Sequence, residues 1–175
     1  MWIPSEWRIV TSAGANVAVS TGAAILHLGG VIGAIYVAPL KGGTVHTFRF
    51  EVAGGGIGAG VPVSIAASTA DFPGSGIGAI MARSAYVPVA TTPPPASVKL
   101  HLRDLVGPCQ IGVAELDAMG GGTSFAMILF NLDSLYVDPT EATDHCKAMG
   151  VYWGTSLGLQ GGVSASVYRG NLRLI

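Results

Sequence analysis

Charge is scarce in this chain. Asp, Glu, Lys and Arg make up 11% of its 175 residues, against about a quarter in an ordinary soluble domain, and residues 9–40 contain none. The net charge is only −1, and the nine basic residues are scattered. A partner with a phosphate backbone calls for clustered Lys and Arg that displace counterions, so nucleic acid is excluded. The nearest grouping, Lys99, His101 and Arg103, falls at alternate positions and reads as the solvated face of one strand.

Aromatics are few as well, at 7%, which leaves Val, Ile, Leu and Ala to build the core. With only two cysteines, Cys109 and Cys146, a disulfide framework is excluded, and the pair reads as two buried free thiols, with a single bridge between them as the alternative. A chain of this length needs neither disulfide nor metal to bury a core. The first residues lack a basic segment followed by an apolar one, so no secretory signal is read there. The expectation is a cytoplasmic protein or one secreted without a signal, with membrane association as the alternative.

What fills the place of charge is glycine, 26 residues of it. Residues 22–40, GAAILHLGGVIGAIYVAPL, have the length of a membrane-spanning helix and contain the Gly29-x-x-x-Gly33 spacing of packed membrane helices. His27, Pro39 and the glycines at 22, 29, 30 and 33 oppose a helix, since each interior glycine costs about 0.8–1.0 kcal/mol relative to alanine. Strands at 16–20, 24–28 and 31–37, with a turn at Gly29-Gly30, use the same residues without that cost.

Period-two patterns recur along the chain. Phe48, Phe50 and Val52 alternate with Thr47, Arg49 and Glu51, predicting a half-buried strand over 45–52. Further strands are predicted over 61–68, 77–81, 98–103, 109–116, 151–159, 163–168 and 171–175. Residues 124–130 are apolar on both faces, as in a central strand. The glycine cluster at 54–60 predicts a bend, a bulge or a close backbone contact, and Gly161-Gly162 a hairpin turn.

Pro93-Pro94-Pro95 marks an exposed loop at about 88–97. Asp138, Pro139, Glu141 and Gly150 carry the start and stop signals of one short helix over 139–149. The expected fold is therefore a single mainly β domain spanning residues 1–175, an antiparallel β-sandwich or β-barrel with glycine-rich turns and that helix.

Chemistry-bearing patterns are thin. The glycines at 54–60 lack a following helix and a Lys-Ser or Lys-Thr pair, so no phosphate loop is read. His27, His46, His101 and His145 show no metal-ligand spacing, and neither metal nor cofactor is expected. Gly74-Ser75-Gly76 is a turn rather than a nucleophile elbow. Glu51, Asp104, Glu115 and Asp117 show no spacing that singles out an acid–base pair. Only Asp144-His145-Cys146 gathers acid, imidazole and thiol. Cys146 with His145, and Cys109 with His101, are the candidate dyads if the protein is a small secreted or effector-like enzyme.

The leading expectation is different. Four stretches, 9–40, 52–70, 84–98 and 148–168, are free of charge. Exposed uncharged surface of that extent promotes association. A non-enzymatic protein is expected, covered by lipid, by a membrane or by copies of itself, with Trp2, Trp7, Tyr36, Tyr152 and Trp153 as candidate interface residues. A module that binds a protein partner through its Pro-rich loop is the remaining alternative.

Overall fold

The computed structural model of the protein describes residues 1–20, 26–60, 75–84, 98–118, 121–156 and 162–175. Its strands are β1 (Trp2–Ser20), β2 (Leu26–Pro39), β3 (His46–Gly60), β4 (Ser75–Arg83), β5 (Gly107–Ala118), β6 (Gly121–Leu132), β7 (Cys146–Ser156) and β8 (Gly162–Leu174). They close into an antiparallel barrel in the order β1–β2–β3–β8–β5–β6–β7–β4. Of the two expected architectures, the barrel is the one adopted. Its base is the end where β1 begins and β8 finishes, and its rim is the opposite end.

Alternation along each strand decides what the barrel encloses. Phe48 and Phe50 of β3, Ile111 of β5, Phe130 of β6, Tyr152 of β7 and Tyr168 of β8 are buried in one cluster, each at most 2% exposed. The pattern read at 45–52 is thus realised, with Arg49 and Glu51 on the wet face joined in an ion pair at 3.2 Å.

Strand order forces a crossing at the base. β4 lies between β1 and β7, whereas its successor β5 lies between β8 and β6. Residues 98–103 were expected to form a strand, but closure of β1 onto β4 leaves no free sheet edge there. Val98 makes a single bridge to Ser5, and Leu102–Leu105 forms a 3-10 turn packed against β6, β7 and β8. The alternation still works as far as His101, since Val98 and Leu100 are buried and Lys99 and His101 are exposed, and the 3-10 turn then buries Leu105. Trp7 secures this plug by donating its indole N–H to the Leu100 carbonyl at 2.6 Å.

The helix expected over 139–149 is replaced by a turn and a strand. Asp138 behaves as a cap, accepting from the Thr140 N–H at 2.8 Å and the Thr140 hydroxyl at 2.6 Å. A 3-10 turn over Ala142–Asp144 follows, and β7 begins at Cys146. Cys146 and Ala148 are buried while Lys147 and Met149 are only half-buried, so period-two burial overrides the capping signals. Residues 133–145 form a flap over the outer side of β6 and β7. Val137 and Ala142 cover Leu129, Leu132 and Cys146 there, which accounts for the two apolar faces of β6.

The uncharged run at 22–40 forms no helix in its described part. β2 passes through Gly29-Gly30 without a turn and pairs with β1 and β3 along its length. Strands expected separately at 163–168 and 171–175 are one strand, β8. Residues 61–68 and the Pro-rich loop at 88–97 lie outside the described residues, as does Gly161.

Of the three readings offered for the glycines at 54–60, close backbone contact holds. A Cβ on Gly54 would run into the Val167 carbonyl oxygen and sit 2.7 Å from the Tyr168 Cα, and one on Gly170 would meet Glu51 and Val52 in the same way. The β3–β8 seam therefore closes through positions that tolerate no side chain. Gly54→Ala and Gly170→Ala are each expected to lower stability by about 1–3 kcal/mol in urea unfolding. Gly30→Ala, whose Cβ would sit 3.7 Å from the Val52 oxygen, should change it little.

Candidate functional site

The two thiols sit where nucleophilic chemistry is hardest. Cys109 points into the barrel with no exposed surface, and burial pushes its thiol up to about 12, against a partial lowering by the Gly170 backbone. Cys146 lies beneath the flap, where burial pushes it up to about 11 while nearby Arg83 pulls it down. Its Sγ–H is directed at the Thr143 carbonyl, 3.6 Å away.

His101 and His145 lie away from the thiols. His145 pairs through Nδ1 with Asp133 at 3.3 Å, on the flap's exposed side, and Asp144 pairs with Arg83 at 3.2 Å. His101 is exposed on the base turn, where its backbone N–H donates to Asp104. Adjacent in sequence, Asp144, His145 and Cys146 thus diverge into a surface ion pair, a surface His–Asp contact and one buried thiol. An activated cysteine needs a depressed pKa and access to solvent, and neither thiol has both.

His46 meets the edge of Trp7 with ring centroids 5.6 Å apart. Glu51 is taken by Arg49, and Glu115 and Asp117 lie on β5 toward the rim. Among the described residues, no three His, Cys, Asp or Glu side chains converge to hold a metal ion.

The candidate interface aromatics separate in the same way. Tyr152 is in the core, Trp7 packs against it, and Trp2 packs against the flap cluster. Tyr36 is half-buried. Trp153 alone among the five stands out from the wall, 61% exposed, with Phe125 of β6 edge-on to it at a centroid distance of 6.0 Å.

Register shows what surrounds Trp153. One lateral row of outward positions runs Ile57–Ala165–Ala114–Phe125–Trp153 across β3, β8, β5, β6 and β7. The next row toward the base runs Gly55–Val167–Gly112–Met127–Val151. Neither contains a charge. The first charged position is one row lower still, at Arg169, whose guanidinium donates to Gln110 and to the Leu135 carbonyl of the flap. Ile57 and Leu116 are each 61% exposed, and Val167 is exposed as well.

Between them lies a shallow open groove of about 440 Å³, floored by Gly55, Gly56 and Gly112 and walled by Ile57, Met127 and Val167. The flap covers the lower wall of β6 and β7, and no described residue covers this upper belt.

Sequence reasoning found the shortage of charge but not the residues that surround Trp153 on the wall. A usable signal was present in outward positions such as 165 and 167 of β8 and 112 and 114 of β5, which are apolar or glycine where a solvated strand carries polar residues. Which residues share a row follows only from the barrel order.

Compared with protein families, curated proteins and solved structures, the chain matches none.

Native Cys109 and Cys146 are expected to resist a thiol-specific disulfide reagent at pH 8 and to react together once the protein unfolds. Because burial raises both above the ordinary thiol value of 9.0, the folded state holds protons that the unfolded state releases. Stability should therefore be intact below pH 9 and fall as pH rises through about 11. Urea midpoints measured from pH 8 to 11 check the sign, and the decline should shrink in Cys109→Ala/Cys146→Ala.

Proposed function

We propose that this protein is a non-enzymatic, self-associating barrel whose uncharged outer belt packs against copies of the same chain. The observation that carries the reading is the pair of lateral rows without charge, from which Ile57, Trp153 and Val167 project into solvent. Burying one such side chain is worth about 1.5–3 kcal/mol. A belt of them left in water is a standing drive toward association.

Three features favour copies of the chain over lipid. The belt carries no Lys or Arg that would hold anionic headgroups. Toward the base the barrel interior is filled by Phe48, Phe50, Phe130 and Tyr168, where a spanning barrel has a polar lumen. An uncharged face is also matched at least desolvation cost by another uncharged face, and each copy brings one. Closure bears on the mode of contact too. With every strand of the ring paired on both sides along part of its length, copies meet through side chains rather than by adding strands.

Light scattering combined with vesicle co-sedimentation tests this. The expected result is a mass that is a multiple of 17.7 kDa, with no sedimentation on vesicles of neutral or anionic lipid. Ile57→Lys should shift the mass toward the single chain with its far-ultraviolet circular dichroism unchanged. A wild-type protein that stays at the single-chain mass overturns the reading, and one that does so while binding vesicles transfers the belt to lipid.

A further inference from the structure

The flap over β6 and β7 closes a second apolar cluster outside the barrel. Leu129, Leu132, Ala142 and Cys146 are buried there, with Met127, Val137 and Met149 packed against them, and none belongs to the cluster inside the barrel. Two cores that share no residue can come apart separately. The flap's own apolar share is small, consisting of Val137 and Ala142.

Under the flap the wall carries one polar grip. Gln110 and Leu129 alternate with strand neighbours that belong to the barrel core, so both lie on the outer side of the wall, yet they are only 4% and 1% exposed. Arg169 of β8 stands in the same row, in register with Gln110. Its Nε donates to the Gln110 Oε1 at 2.8 Å and its Nη1 to the Leu135 carbonyl of the flap at 2.9 Å. The buried amide orients the guanidinium, and the guanidinium reaches the flap. Its charge also helps to hold the Asp138 carboxyl low, after the larger effect of the Thr140 hydroxyl and N–H.

The grip is incomplete. Nη2 of Arg169 is buried with no hydrogen-bond partner in the protein, and a buried donor left unpaired is a cost that opening to water removes. Two further side-chain ties, Arg83–Asp144 and His145–Asp133, lie at the exposed foot of the flap, where solvent weakens them. A backbone bond from the Asp133 N–H to the His145 carbonyl, 2.8 Å long, joins the two ends of the flap. The segment between them can therefore swing away without unpairing β6 from β7.

We propose that residues 133–145 are a strap that opens on an intact barrel, with Arg169 as its latch and the Asp133–His145 backbone pair as its hinge. Closed, the strap hides Leu129 and Leu132. Open, it adds them to the outer face that continues through Met127 and Phe125 on β6, so the uncharged wall lengthens toward the base. The strap does not depend on what meets the belt, because the contacts that hold it lie within one chain.

Cys146 reports the strap and Cys109 reports the barrel. The first is buried in the strap cluster with its Sγ–H directed at the Thr143 carbonyl, and the second is buried in the barrel core. In Arg169→Gln, labelling by a thiol-specific disulfide reagent at pH 8 is expected to accelerate about tenfold to a hundredfold at Cys146. Cys109 should stay as slow as in the wild type, with the far-ultraviolet circular dichroism unchanged. Cys109→Ala and Cys146→Ala backgrounds assign the reacting thiol. Arg169→Lys keeps the charge but loses the fork that reaches both Gln110 and Leu135, so its rate should fall between. Val137→Ser thins the strap's apolar contact and leaves every barrel residue in place. It should also release Cys146 alone, and it carries the comparison if Arg169→Gln does not fold.

Acceleration of Cys109 together with Cys146 means that strap and barrel open as one unit, and overturns the proposal. A folded Arg169→Gln protein whose Cys146 keeps the wild-type rate overturns the latch, and the same result in Val137→Ser overturns the strap. Self-association is read separately, from the native mass.

Discussion

Everything else in this structure depends on closing the hydrogen-bonded ring. Eight strands in the order β1–β2–β3–β8–β5–β6–β7–β4 leave no sheet edge along the paired registers, so the chain must cross the ends of the barrel, and the outer wall is presented through its side chains. The β3–β8 seam is the tightest point of the ring. Gly54 and Gly170 bring its backbones closer than any Cβ allows. This gives the glycine content a mechanical meaning, because the residues that make the composition look featureless are where the cylinder is drawn together.

Closure also partitions the surface. Toward the base, polar contacts tie the chain down, with Trp7 holding the Leu100 plug and Arg169 holding the flap through the Leu135 carbonyl. The ion pairs Arg49–Glu51 and Arg83–Asp144 and the His145–Asp133 contact lie in this part of the molecule. Toward the rim, the outward rows lose charge altogether. Among the described residues both thiols are buried, and His101 and His145 lie apart from them at the surface. What the described rim-side wall exposes is apolar area, at Ile57, Leu116, Trp153 and Val167.

How much of this was legible in the sequence follows from which interactions are local. Alternation of Phe48, Phe50 and Val52 with charged neighbours is a property of one strand, and it placed β3 and the core side of the wall correctly. Residues 98–103 alternate just as well. Their burial comes from plugging the base, which depends on the crossing between β4 and β5. The helix expected at 139–149 failed for a related reason. Its capping signals are genuine and are spent on a turn at Asp138, while Cys146 and Ala148 obey the barrel wall. The groove was beyond reach, since Gly55, Gly112 and Trp153 belong to β3, β5 and β7, which β8 and β6 bring onto one wall only through the nonsequential strand order.

Solvent access to the Trp153 indole tests the central claim most directly. In a Trp2→Phe/Trp7→Phe background Trp153 is the sole tryptophan, and acrylamide quenching can be followed as the protein is diluted. If the belt is covered by neighbouring copies, quenching should be weak and emission blue-shifted at high concentration, with both moving to solvent-exposed values on dilution. Strong quenching and exposed emission at every concentration would contradict the account.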